Sequence, residues 1–288
     1  MIDKTRLGIP FFDEHYGGIY RKRPVLCIGR QGSGKTIAAL QSLMQSVKEG
    51  ERGLMLSSWR AHDLAIIAEK MGFPLAEAAA KGQVTLLEYA DIMQTPEFEK
   101  NLTLPPGSFM EFQSIVESNS IGRVIIDTVL PWIAIRQEEK LAKHIYSFIQ
   151  AIERMGVTCL LTLPKPVSAL AFTLKNRLEE QVPIVFTLDK DPQDQRSLLI
   201  NKYLGDQNLP PPVPFVIVPG AGIIRAPKII PPSPARPSPA ATTRISMREP
   251  HPLPPAPEAA PSPVMTPSAK PPPKKDAGPI KFSSAFRS

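Results

Sequence analysis

The chain has few of the residues that mark secreted or membrane-spanning proteins. It has two cysteines among 288 residues, too few for a disulfide framework. No apolar run approaches the roughly 18 residues that a membrane helix needs. The first residues include charges at Asp3, Lys4 and Arg6 where a signal peptide would have an apolar core. We therefore expect a cytoplasmic protein in which Cys27 and Cys159, each within an apolar run, are reduced core thiols.

The part of the chain that can fold has almost no net charge. The net charge is +7, but residues 228–288 contain nine Lys or Arg and three Asp or Glu. The rest of the chain has 25 basic and 24 acidic residues and is almost neutral. A near-neutral domain gives no support for nucleic-acid binding by the domain itself. The basic tail allows weak, salt-sensitive contact, so nucleic acid stays an open partner.

Proline is concentrated at one end, where 18 of the 34 prolines lie in residues 227–288. Residues 1–226 contain enough large apolar side chains to bury a core, and we expect them to form the folded domain. Residues 227–278 read as a disordered linker rich in Pro, Ala and Ser. Residues 279–288 regain two phenylalanines beside positive charges. This pattern fits a short docking motif for a protein partner, or a disordered end with chance aromatics.

One glycine-rich stretch has the spacing G-x-x-x-x-G-K-T of a phosphate-binding P-loop, also called Walker A. It follows an apolar strand pattern and leads into a helical one, as that motif requires. Its residues are Gly29, Arg30, Gln31, Gly32, Ser33, Gly34, Lys35 and Thr36. The glycines let backbone N–H groups face phosphate oxygens, and the helix N-terminus attracts the same anion. We expect Lys35 to bind the β- and γ-phosphates and Thr36 to bind Mg²⁺.

An aspartate ends a later apolar run. Val124, Ile125 and Ile126 precede Asp127. A buried strand that delivers a carboxylate to the water shell of Mg²⁺ is the second part of a nucleoside-triphosphate site. Alone, the pattern also fits an ordinary strand end with a turn-forming aspartate. Its place after the P-loop favours the metal role, so we predict that Thr36 and Asp127 share one Mg²⁺.

Strand and helix patterns alternate from the P-loop to about residue 180, and three strand patterns follow at 184–188, 197–203 and 215–224. The alternation predicts an α/β fold of three layers with a mostly parallel sheet. The turns Asp191-Pro192 and Pro219-Gly220 favour an antiparallel extension of that sheet. Ligand would then bind beyond the carboxyl ends of the parallel strands.

The segment before the P-loop adds a family resemblance. Gly8–Glu14 and the turn Gly17-Gly18 resemble the opening of KaiC-like domains of the RecA superfamily, and 126–128 and 199–205 resemble their later strands. The resemblance covers roughly residues 7–226. It implies a RecA-like P-loop NTPase fold, ATP with Mg²⁺ as ligands, and a homo-oligomeric ring or filament with nucleotide between subunits.

Two positions depart from that family pattern. The family ends the strand after the P-loop helix in a glutamate pair that polarises the attacking water, where this chain has Ser57 and Ser58. A hydroxyl is too weak a base to replace them unaided. The family also has Lys-x-Arg reaching a neighbour's nucleotide. Here Lys202 matches the lysine, which would contact the nucleotide in trans, but Leu204 replaces the arginine. Such an arginine raises the rate of hydrolysis by about 10³–10⁵ where it acts. The departures predict ATP binding with slow or absent hydrolysis.

Two interpretations of function therefore stay open. The first is a regulatory or scaffold protein whose assembly depends on ATP, and the alternative is a competent ATPase acting in DNA recombination or repair. For the alternative, Asp63 or Glu88 would replace the missing base, although they also fit a helix N-terminal acid and a strand-end surface residue. Trp59 and Arg60 fit a base or partner contact, or simply a partly buried aromatic beside a surface charge. His144 fits a structural position on an amphipathic helix.

Overall fold

A computed structural model describes residues 3–89, 106–134 and 138–227. Apart from Pro227, the predicted linker and docking motif lie outside these residues. The strands are β1 Lys4–Thr5, β2 Ile19–Tyr20, β3 Pro24–Gly29, β4 Arg52–Ser57, β5 Val84–Glu88, β6 Ile121–Asp127, β7 Thr158–Pro164, β8 Ile184–Lys190, β9 Arg196–Tyr203, β10 Val213–Val218 and β11 Gly222–Arg225. The helices are α1 Pro10–Tyr16, α2 Lys35–Lys48, α3 Ala61–Lys70, α4 Leu75–Ala80, α5 Pro106–Ser118, α6 Leu130–Ile133, α7 Glu138–Arg154 and α8 Ala169–Gln181.

Nine of these strands form one sheet in the order β11-β10-β9-β8-β3-β7-β6-β4-β5. The six strands from β8 to β5 in that order are parallel. The last three strands in the chain extend the sheet in antiparallel pairing. We call the side where the parallel strands end the carboxyl edge, and the opposite side the amino edge. This topology confirms the predicted fold class.

The sheet is buried between two helical layers because successive strand residues face opposite sides. On β3, Val25 and Cys27 belong to a core cluster with α1 to α4, while Leu26 and Ile28 belong to a second cluster with α5, α7 and α8. Both cysteines are buried and free, as predicted. None of the described helices has the length and apolar character that crossing a membrane requires.

The sequence patterns missed some short elements. Helix α1 was predicted only as an ordered lead-in, because its seven residues are too few for a clear period. It is fixed instead by the burial of Phe11 and Phe12 and by the Asp13 carboxylate. That carboxylate accepts hydrogen bonds of 2.8 Å from the backbone N–H groups of Leu7 and Gly8. The predicted strand 215–224 is in fact the hairpin of β10 and β11.

A buried arginine connects several elements at the amino edge of the sheet. Arg123, the third residue of β6, is fully buried. Its guanidinium donates to the Thr5 hydroxyl at 2.8 Å and to the Ser42 hydroxyl at 3.1 Å, and one Glu51 carboxylate oxygen lies 3.7 Å away. Burial lowers the pKa of Arg123, and the charge of Glu51 counters this. A buried charge persists only where it is paired and hydrogen-bonded, so this cluster joins β1 and α2 to β6.

Candidate phosphate- and metal-binding site

The glycine-rich loop lies at the carboxyl edge between β3 and α2. Helix α2 begins at Lys35, and its N-cap residue, Gly34, has a φ of +106°, which L-residues rarely adopt. No side chain caps the first turn of α2, and that turn contains no acidic residue. Its unpaired N–H groups and the positive end of the helix dipole therefore favour an anion at this position.

Glycine is required in this loop for packing as well as for backbone direction. A Cβ at Gly29 would lie 2.5 Å from the Leu188 carbonyl oxygen of β8. A Cβ at Gly34 would lie 2.9 Å from Cδ1 of Ile217 on β10. The loop is therefore enclosed by the antiparallel extension of the sheet on one side.

Lys35 folds back over the start of the loop. Its Nζ donates to the carbonyl oxygens of Gly29 and Arg30, each at 2.9 Å. Burial lowers the pKa of Lys35, and the nearby Cys27 and Asp127 partly counter this. An ammonium group has three donors, so one remains available to a phosphate beyond the two loop carbonyls.

Asp127 ends β6 beside the loop, as predicted, and meets Thr36. Thr36 Oγ1 donates to Oδ2 of Asp127 at 2.9 Å, and Thr162 Oγ1 donates to Oδ1 at 2.5 Å. Asp127 is only 5% exposed, and among the described residues it has no ion-pair partner. Sequence reasoning missed Thr162, although its place at the end of the next core strand was a usable signal. The peptide bond between Asp127 and Thr128 is cis.

These side chains fit Mg²⁺ in their chemistry. Magnesium prefers oxygen ligands and usually takes one or two carboxylates together with phosphate oxygens and water. Thr36 and Asp127 offer a hydroxyl and a carboxylate in direct contact. Within the described chain the Asp127 carboxylate contacts hydroxyl donors, and Lys35 acts on it without forming an ion pair, which leaves it suited to a cation.

Two serines lie where the neighbouring strand β4 ends beside Asp127. Ser57 pairs with Asp127 in the β4–β6 register and is fully buried, and its Oγ accepts the Trp59 N–H at 3.1 Å. Ser58 is exposed, and its backbone N–H donates to the Asp127 carbonyl at 3.0 Å. The strand end is therefore held by polar contacts, and it presents no carboxylate at these two positions.

The other candidate acids lie on α3 and β5. Glu88 ends β5 beside Ser57, and its carboxylate accepts the N–H of Ala61 at 2.8 Å. It therefore fixes the first turn of α3 and is not simply a surface residue, because the end of β5 lies against that helix. Asp63 lies in the first turn of α3, as predicted. Trp59 is 46% exposed, more than expected for a partly buried aromatic.

Lys202 and Leu204 lie away from the loop of their own chain. Lys202 pairs with Val185 near the start of β8, so both residues lie toward the amino edge. The Lys202 Nζ donates to the carbonyls of Glu179 at 2.9 Å and Glu180 at 3.3 Å, in the last turn of α8. Leu204 is 53% exposed. Any contact between this edge and a nucleotide would therefore involve a second copy. On α7, a ring nitrogen of His144 contacts the Trp132 carbonyl at 2.7 Å, which fits its predicted structural position.

A nine-stranded sheet of this order, a glycine-rich loop after β3 and an aspartate at the end of β6 define a RecA-like P-loop domain. The family model "ATPase: KaiC" matches residues 5–228, and the chain belongs to that family. This confirms the resemblance predicted from the segment before the loop. The chain is therefore a member of the KaiC-like branch of the RecA superfamily, whose domains bind ATP.

Similar proteins include a circadian clock protein, a UPF0273 protein and a KaiC-like protein of known structure. The circadian clock protein KaiC2 of Synechocystis is 24% identical over 226 residues, which cover 74% of this chain and 38% of that protein. A UPF0273 protein of Pyrococcus horikoshii, PH0284, is 26% identical over 243 residues, 80% of this chain and 97% of that protein. The crystal structure of KaiC-like protein PH0186 from Pyrococcus horikoshii superposes with a TM-score of 0.64 at 24% identity, covering 79% of this chain and all of the other.

Proposed function

We propose that this protein binds Mg²⁺–ATP at the P-loop and uses the bound nucleotide to control its assembly with further copies. Hydrolysis would be slow or absent. One observation carries the proposal: the register of β4 and β6 places a buried serine, Ser57, beside Asp127. The residues that we assign to phosphate and metal binding therefore lie next to a strand end that lacks the family's catalytic carboxylates.

The binding half of the proposal is supported by the loop and its neighbours. The first turn of α2 would hold phosphate oxygens through backbone N–H groups, and the remaining donor of Lys35 would bind the β- and γ-phosphates. Thr36 and Asp127 would hold Mg²⁺, which neutralises phosphate charge when bound. Membership of an ATPase family favours ATP over other nucleotides.

Slow hydrolysis is expected because of the side chains that would lie near the attacking water. Ser57 and Ser58 offer hydroxyls, which cannot take a proton from water at neutral pH without a stronger base nearby. Glu88 is engaged by the N–H of Ala61 at 2.8 Å. Leu204 stands where the family has an arginine, so a neighbouring copy would supply no guanidinium to the transition state.

Assembly would bring the two edges of the sheet together. The loop lies at the carboxyl edge, and Lys202 and the exposed Leu204 lie toward the amino edge. If the amino edge of one copy met the loop of the next, the contact would be head to tail. Such contacts produce rings when the rotation closes and filaments when it does not.

The experiment is to restore the missing carboxylate. Ser58→Glu is suited to this because the side chain is exposed and only its backbone N–H is engaged. We expect phosphate release by the unmodified protein at well below ~1 s⁻¹, the low end for typical enzymes. We expect Ser58→Glu to be faster by at least about 10²-fold, the usual contribution of a general base.

Ser58→Gln is the matched control, because it has the same size and no basic carboxylate. It should release phosphate no faster than the unmodified protein. Turnover at or above ~1 s⁻¹ by the unmodified protein would overturn the proposal and favour the competent ATPase. Equal acceleration by both substitutions would show that carboxylate loss does not limit the rate.

A further inference from the structure

An ion pair crosses the start of the P-loop. Gly29 pairs with Pro164 of β7 on one side and with Leu188 of β8 on the other. The next residues, Lys165 just after β7 and Asp189 on β8, therefore flank the chain where it leaves β3. Their strands are about 10 Å apart, twice the usual strand spacing. The side chains nevertheless meet, with Lys165 Nζ 3.3 Å from Oδ2 of Asp189.

Asp189 also contacts a cation of the loop itself. Nε of Arg30 lies 3.6 Å from Oδ1 of Asp189. Burial alone would raise the pKa of Asp189, but hydrogen bonds from the Lys190 N–H and from Lys165, with the charge of Arg30, outweigh it and leave the pKa below its ordinary value. One ionised carboxylate therefore holds two cations beside the phosphate site.

Lys165 and the P-loop lysine, Lys35, meet at one backbone carbonyl. The Lys165 backbone N–H donates to the Gly29 carbonyl at 2.9 Å, the same oxygen that accepts from Lys35 Nζ. Because the P-loop lysine contacts the β- and γ-phosphates, Lys165 neighbours that end of the nucleotide. The Lys165 and Asp189 side chains are 38% and 41% exposed, so packing does not lock them in place.

We propose that Lys165 exchanges Asp189 for the terminal phosphate of bound ATP. The ion pair across the loop then persists with ADP and opens with ATP. An exposed ion pair holds its side chains weakly, and a phosphate is a stronger partner for a cation than one carboxylate. Lys165 would be a further ligand that distinguishes ATP from ADP, and Asp189 would compete with ATP. This inference rests on the proposed function, since it requires ATP at the P-loop.

The test is a double-mutant cycle on nucleotide affinity. Calorimetry on the full chain would compare Mg²⁺ with the non-hydrolysed analogue AMP-PNP and Mg²⁺ with ADP. We expect Asp189→Asn to strengthen AMP-PNP binding about 5-fold, a small coupling between sites, and to leave ADP within about 2-fold. Lys165→Gln should weaken AMP-PNP binding about 10-fold, the loss of one charged contact. The double variant should bind AMP-PNP as Lys165→Gln does.

Glu77→Gln is the matched control, because Glu77 on α4 forms an exposed ion pair of 2.6 Å with Lys81, beside the far edge strand β5. It removes the same charge, and it should change neither affinity. If Asp189→Asn strengthened both nucleotides equally, or kept its effect in the Lys165→Gln background, the exchange would be overturned and Asp189 would act as a general negative charge. An unmodified protein that binds neither nucleotide would overturn the proposed function as well. Binding of both without coupling would overturn this inference alone.

Discussion

Strand β6 has a buried charge toward each edge of the sheet, and the two charges are balanced in different ways. Toward the amino edge, Arg123 has two hydroxyl acceptors and the Glu51 carboxylate 3.7 Å away. At the carboxyl edge, Asp127 has hydroxyl donors from Thr36 and Thr162 and, within the described residues, no cation in ion-pair contact. The first charge is compensated by the fold, while the second is left for a ligand.

Because of this difference, we expect one end of β6 to affect the stability of the fold and the other to affect ligand binding. A buried ion whose partner is removed costs several kcal/mol, because the remaining charge stays desolvated. A buried carboxylate that keeps only hydroxyl partners gains from any cation that binds the folded chain, and such a ligand stabilises the folded state by mass action. Substitutions at the two ends of β6 should therefore be seen in different measurements.

The largest expected effect is on folding, from Arg123→Ala. The change leaves a cavity beside the Thr5 and Ser42 hydroxyls, while Glu51 keeps its ion pair with Arg21. We expect the free energy of unfolding to fall by about 3–5 kcal/mol, because a large buried side chain is lost and buried hydroxyls lose their donor. Urea unfolding would measure it. The control is Arg52→Ala, an exposed arginine at the same edge on β4, which should change stability by no more than about 0.5 kcal/mol. Equal losses in both variants would contradict a special role for Arg123.

The next effect is on metal-dependent binding, from Asp127→Asn. The substitution keeps the shape and removes the charge that we assign to Mg²⁺. ATP affinity measured with Mg²⁺ and with EDTA should differ in the unmodified protein, and the variant should lose about 10–100-fold of that difference, as when a partner of a bound metal is lost. Its urea midpoint should change little. A variant that unfolds easily and still responds to Mg²⁺ would reverse the roles of the two ends.

The smallest effect is a pH dependence at the amino edge. Burial alone would raise the pKa of Glu49, but hydrogen bonds from Thr5 and Gln45 and the charge of Arg123 outweigh it and leave the pKa below its ordinary value. Such a group stabilises the fold above its unfolded pKa, and this contribution is lost as pH falls through the folded pKa. Urea midpoints measured at about pH 5 and pH 3.5, on either side of the ordinary Glu pKa, should fall further for the unmodified protein than for Glu49→Gln. Parallel falls would contradict the assignment.

Local patterns in the sequence were sufficient to predict the site at the carboxyl end of β6. The P-loop is set by glycine spacing between an apolar strand and a helix, and Asp127 by the apolar run before it. Both features depend on a few consecutive residues. Parallel strands bring their carboxyl ends to one edge, so the meeting of Thr36 with Asp127 followed from the predicted fold class.

The buried Arg123 cluster toward the amino end of β6 was not predictable from local patterns. The sequence placed Arg123 at the start of a strand, where an arginine is normally exposed. The strand begins earlier, at Ile121, and the acceptors for Arg123 come from Thr5 and Ser42, which are 118 and 81 residues away in the chain. The contacts of Lys165 with Asp189 depend likewise on the strand order, which no local pattern shows.

The P-loop, Thr36 and Asp127 would bind nucleotide to control assembly and not for rapid turnover. Light scattering during size-exclusion, with and without Mg²⁺–ATP, and phosphate release from the same sample test it most directly. The account predicts a rise in molar mass with Mg²⁺–ATP, no rise for Lys35→Ala, and phosphate release well below ~1 s⁻¹. An unchanged molar mass together with turnover at or above ~1 s⁻¹ would contradict it.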